Sequence, residues 1–146
     1  MLGVVERDAV VVVGMPVVAP LGQRAGCVPD AWRAVLARRH ELGPSARGPL
    51  ADVSFALPVG CHEVVGTLVP PAAAHVPEGM AAAFLPAGRY VHLVHDGRLA
   101  TIAESFDRIA AWAASRRLRL GTRRLDVGYR ADGVPAVHDL YVDVLG

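Results

Sequence analysis

The run Cys61-His62-Glu63-Val64 sets a carboxyl group inside an otherwise apolar stretch that reads as a strand. Strand parity places Cys61, Glu63 and Val65 on one face. If that face lines a cleft, Glu63 is suited to general acid/base work or to holding a donor on a ligand. If it faces solvent, Glu63 is an ordinary strand glutamate. His138 alternates with Ala136, Leu140 and Val142 and so points to an apolar side, as a core histidine or as a pocket donor or base. His92 has the same ambiguity between Tyr90 and Val94. Tyr141 alternates away from His138, and of the two His138 is the stronger candidate.

Aromatic residues make up only 5% of the chain, so two or more converging on one cleft carry information. Trp32, Phe55 and Tyr129 are the candidates for stacking on a flat ligand, with Val53 and Val127 as apolar neighbours. Trp112 and Phe106 fit the apolar stripe of a helix and read as core. No two histidines stand four apart on a helix and neither cysteine pairs as C-x-x-C, so no metal site and no disulfide are expected. Phosphate-cradling glycine loops and a G-x-S-x-G elbow are absent, no cofactor is expected, and Ser54, Ser105 and Ser115 have no partner visible in the sequence.

The elements that must position these residues occur twice. Valine-rich Ala9–Val18 reads as a strand bent at Gly14. A helix follows from Pro29, with Trp32, Val35, Leu36 and Leu42 mostly on one face, and Gly43-Pro44 ends it. Val53, Phe55 and Leu57 alternate in strand period, and a Pro-Val-Gly turn leads to a second strand over Glu63–Val69. Pro70–Gly79 has the composition of a linker. Beyond it, short strands at Met80–Leu85 and Tyr90–His95 precede a helix that opens on Thr101-Ile102-Ala103-Glu104, the spacing of a capping box. Leu125, Val127 and Tyr129 alternate on the next strand, Asp132-Gly133 offers a hairpin turn, and Ala136 to Val144 returns.

The expected fold class is α+β: two β-α-β-β halves, at 4–69 and 80–145 around a linker at 70–79. Related by a pseudo-two-fold, they form an antiparallel sheet with two helices packed on it and a central cleft. One domain over 1–146 is the default for this length.

Composition narrows the function. With 53% hydrophobic residues and a formal charge of +1, the chain can bury a core and has no global field to draw nucleic acid or an anionic membrane. Lysine is absent and every Lys/Arg position is arginine, a codon-bias signature; the arginines at 116, 117, 119, 123, 124 and 130 read as a solvated helix end and strand face. No secretory or membrane-spanning segment is visible, so a cytoplasmic protein is expected.

Taken in order, Val4-Val5-Glu6-Arg7, Pro29-Asp30-Ala31-Trp32, Gly79-Met80, Pro86-Ala87-Gly88-Arg89-Tyr90, Ile109-Ala110-Ala111-Trp112 and Asp139-Leu140-Tyr141-Val142 resemble the GyrI-like effector-binding family. The resemblance spans nearly the whole chain. It implies a duplicated α/β fold whose central cleft takes up organic, often aromatic, molecules. Many relatives carry the domain behind a DNA-binding domain of AraC or MerR type; here only eight residues precede Ala9, so direct DNA binding is not expected.

Stand-alone relatives include toxin binders, gyrase inhibitors and hydrolases that open strained rings. Three readings follow: a small-molecule binder for sequestration, sensing or resistance, a cofactor-independent hydrolase or biosynthetic enzyme using Glu63 and His138, and a gyrase-inhibitor-type interaction protein. In the first two the ligand set is Trp32, Val53, Phe55, Cys61, Glu63, His92, Val127, Tyr129 and His138. The partner is a small organic molecule, and the chain a monomer or homodimer.

One departure matters. Multidrug-sensing relatives carry a buried glutamate two residues before a tyrosine on this strand, and here that position is Val127. Simple alternation turns Asp126 onto the opposite face, which argues against a preference for cations.

Overall fold

The computed structural model describes residues 2–17, 24–57 and 60–146. Eight strands carry the fold: β1 (Gly3–Arg7), β2 (Val10–Val17), β3 (Leu50–Leu57), β4 (Gly60–Val69), β5 (Ala81–Leu85), β6 (Gly88–Asp96), β7 (Leu120–Tyr129) and β8 (Val137–Val144). Two helices interrupt them, α1 (Arg24–Ala37) and α2 (Ile102–Ser115). The sheet is antiparallel throughout, in the order β1-β6-β8-β7-β3-β4-β2-β5. Exchanging each strand of one half for its counterpart in the other reverses this order without altering it. That is the signature of the expected pseudo-two-fold, and its axis falls at the seam between β3 and β7. The first half gains a strand the periodicity left out, β1; its counterpart in the second half is β5, expected as the short strand Met80–Leu85.

The connections show how the sheet is shaped. Asp8 and Ala9 alone join β1 at one end of the order to β2 near the other, and Pro86 and Ala87 alone join β5 to β6. Two residues span at most about 10 Å, whereas eight flat strands spread over about 34 Å. The sheet therefore curls until its ends approach, although no ladder joins β1 to β5 among the described residues. Its inner face holds Val12, Val53, Val64, Leu85, Tyr90 and Leu125 from both ends and the middle in one buried cluster. At the β2–β4 crossing Gly14 faces Gly66; a Cβ on Gly14 would fall 2.0 Å from the Val65 carbonyl oxygen, so only hydrogen fits.

The outer face carries the helices. Ala31, Trp32 and Val35 of α1 pack on Val17 and Val65, while Phe106, Ile109 and Ala113 of α2 pack on Val91, Leu93, Leu140 and Val142. Three local expectations need correction. Helix α1 starts at Arg24, so Pro29 lies inside it instead of opening it. Thr101 makes no capping hydrogen bond to α2; the 3-10 turn Leu99–Thr101 leads directly into the helix, and the Thr101 hydroxyl donates to the Arg98 carbonyl at 2.7 Å. Helix α1 ends at Ala37, before 3-10 turns over Arg39–Arg47 that are broken at Gly43. Pro58 and Val59 of the expected turn, and Val18, lie outside the described residues. None of the described helices is long and apolar enough to cross a membrane.

Candidate ligand-binding site

Directly paired residues of antiparallel strands share a face, so the ladders identify what meets at the seam. Asp52 of β3 pairs with Asp126 of β7, Ser54 pairs with Arg124 on one side and with Glu63 of β4 on the other. All five line a cavity of about 190 Å³ on the outer face, together with Tyr129 and with Ile102, Ala103 and Phe106 from α2. An apolar cavity of about 150 Å³ admits benzene, so this space accepts a group of about one aromatic ring.

A hydrogen-bonded network lies beside the cavity. The Tyr129 hydroxyl donates to Asp126 Oδ2 at 2.7 Å, and His138 Nδ1 lies 2.5 Å from Asp126 Oδ1. His138 is 0% exposed and Asp126 3%. A carboxylate only accepts, so Nδ1 carries the imidazole proton and the tautomer is set. His138 Nε2 and Trp32 Nε1 are buried without a hydrogen-bond partner. Both rings flank Tyr129: the Trp32 centroid is 4.8 Å away and tilted, the His138 ring 4.6 Å away and edge-on. Burial pushes the Tyr129 phenol far above its usual range, and the charges of Asp126, Asp52 and Glu63 push the same way. Three acidic side chains therefore act on one phenol. Among the described residues, one guanidinium stands in the cavity wall, that of Arg124, over the Phe106 ring at 5.0 Å.

Tyr129 joins Asp126 on this face because β7 is not regular. Ala51 pairs with Val127 but Leu50 pairs with Tyr129, so Gly128 is an extra residue, a bulge with φ of 131°. The bulge resets the alternation: Asp126 and Tyr129 face the cavity while Val127 faces the inner core. Asp126 does face away from Val127, as expected, but the expectation that it also faces away from Tyr129 is overturned. An isolated glycine inside a strand pattern was the available signal.

The structure brings together four of the sequence candidates. Glu63, only 2% exposed, and Tyr129 line the cavity, with Trp32 and His138 packed on Tyr129. Val53 is fully buried in the inner cluster, and Phe55 and Val127 pack against it, on the face away from the cavity. Cys61 pairs with Ala56 in the β3–β4 ladder, and its side chain lies outside the described residues. His92 sits elsewhere, bonded to Asp139 at 2.7 Å and stacked on Tyr141 in a groove beside Arg7. Asp52, Ser54, Arg124, Asp126 and the α2 residues were not anticipated, because strand pairing across the seam cannot be read from either strand alone.

Residues 3–142 match the Cass2 family of integron-associated effector binding proteins. The chain belongs to the Cass2 family. No curated protein matches its sequence. Solved structures resemble the Cass2-family chain in fold alone. A transcription regulation protein from Staphylococcus aureus MU50 is 9% identical, with a TM-score of 0.70 over 100% of this chain and 99% of its own. SAV2435, in a structure bound to tetraphenylphosphonium, gives 9% and 0.68 over 100% and 94%. The integron cassette protein VCH_CASS2 of Vibrio cholerae gives 9% and 0.62 over 99% and 95%. This Cass2-family chain thus shares the architecture of effector-binding proteins.

Proposed function

We propose that this chain takes up a compact aromatic cation at the seam and holds it for sequestration or sensing. The observation that carries the reading is the convergence of Asp52, Glu63 and Asp126 on one small cavity, whose wall also holds Arg124. A cation between such groups gains several kcal/mol per partner at short range and intermediate dielectric, about 4 kcal/mol at 4 Å. Tyr129 and Phe106 supply ring faces for the apolar part of the guest. The tetraphenylphosphonium bound to SAV2435 is an aromatic cation of the same charge class, which supports the reading.

An isosteric pair tests it. Phenyltrimethylammonium and tert-butylbenzene share shape and differ by one charge. Titrations followed by Trp32 fluorescence should show the cation binding at least about tenfold tighter, a difference of about 1.4 kcal/mol. Equal affinity, or tighter binding of the neutral compound, overturns the proposal. A second reading, hydrolysis of such a compound with Glu63 as acid/base, is favoured by the near-complete burial of that carboxyl in the cavity wall. Product formation seen by mass spectrometry and lost in Glu63→Gln separates it from pure binding.

A further inference from the structure

A second polar cluster lies under the first turn of α2, next to the seam network: its His95 pairs with His138 in the β6–β8 ladder, with ring centroids 6.4 Å apart. His95 comes from β6 and Ser105 from the first turn of the helix, and both are buried. Ser105 Oγ is 2.7 Å from His95 Nδ1, and His95 Nε2 is 3.0 Å from the Arg98 carbonyl oxygen. A carbonyl oxygen only accepts, so Nε2 holds the ring proton and Nδ1 is the bare nitrogen. Ser105 is then the donor, with its proton already directed at a base. The Arg98 carbonyl that orients the imidazole is itself held by the Thr101 hydroxyl at 2.7 Å. Nucleophile, base and orienting acceptor stand in the sequence and at the distances that activate a serine.

A purely structural tie between helix and sheet would need one hydrogen bond and no open space beside it. Here a cavity of about 440 Å³ opens on the pair, with Asp96, Thr101, Glu104 and Arg108 around it. Ser105 also stands at the N-terminal, positive end of α2, the polarity that a developing oxyanion requires. We propose that Ser105 and His95 form an acyl-transfer site, opening on its own cavity beside the seam network, that takes short-chain carboxylic esters. The charged rim of Asp96, Glu104 and Arg108 suits small polar acyl groups over long alkyl chains.

The steps balance without a cofactor. Ser105 Oγ bonds to the ester carbonyl carbon as its proton passes to His95 Nδ1. The tetrahedral adduct collapses, the alkoxide leaves with that proton as the free alcohol, and the acyl group stays on Ser105. Water then gives a proton to Nδ1 and attacks the acyl carbon. Ser105 departs and recovers the proton, and a carboxylic acid is released.

The test exposes the full chain to p-nitrophenyl acetate and follows p-nitrophenolate release, with the adduct located by peptide mass spectrometry. Acetylation is expected on Ser105, absent in Ser105→Ala, and slowed at least about 100-fold in His95→Asn. Acetyl groups found only on other residues of the folded wild type, or neither an adduct nor p-nitrophenolate release above the spontaneous rate, overturn the proposal. That result comes from the wild type alone, so it stands even if Ser105→Ala fails to fold. It is also independent of cation binding at the seam.

Discussion

The two faces of β3 and β7 differ in what they bury. On the inner side Val53 and Leu125, paired in register, sit in an apolar cluster that spans the curled sheet. On the outer side, one residue along each strand, Asp52 pairs with Asp126 beside Glu63, Arg124 and Tyr129. Apolar burial on one face supplies the stability that lets the other carry acids that would otherwise oppose folding. On these two strands apolar and polar burial are thus divided by parity, and Gly128 is where the division is adjusted.

Substitutions on each face sharpen this contrast. Leu125→Ala, at a side chain 1% exposed, should lower stability by about 2–5 kcal/mol in denaturant titration while leaving cation affinity per folded molecule unchanged. A large loss of affinity from that change would break the division. Gly128→Ala should cost about 1–3 kcal/mol, because its φ of 131° disfavours a side chain and a Cβ would come within 2.5 Å of the Val137 carbonyl oxygen.

Asp126→Asn should do the reverse of Leu125→Ala, weakening phenyltrimethylammonium binding about tenfold, or about 1.4 kcal/mol, in calorimetric titration. Tyr129→Phe should cost about 1 kcal/mol through its lost bond to Asp126. The same variant carries a pH signature. Because the folded phenol is held above its unfolded value of about 10, its contribution is fully present below that pH and falls as pH rises beyond it. Wild type should therefore lose stability more steeply than Tyr129→Phe above pH 10; parallel curves would show that Tyr129 is not buried beside those acids.

Much of the architecture was legible because valine runs and strict alternation mark strands whatever their partners. Strand β1 was not, since five residues ending in Glu6-Arg7 have no signal of their own and gain order from pairing with β6 far along the chain. Glu63, Tyr129, Trp32 and His138 could be named from residue type and parity. Asp126 could not be placed beside Tyr129, because the extra residue between them, Gly128, shifts Tyr129 to the other face. Asp52 and Arg124 became visible only through a ladder between halves. The partner of Ser105 stayed hidden for a similar reason: ten positions separate it from His95, and a helix must dock before they meet.

The seam is made by the ladder that joins the first half of the chain to the second. A nascent or truncated polypeptide with one half complete owns only one wall of the cavity and has nothing to offer a guest. On the binding reading proposed above, occupancy reports that synthesis and docking have finished, and a guest that recognises only that state shifts the folding equilibrium toward it as its concentration exceeds the dissociation constant.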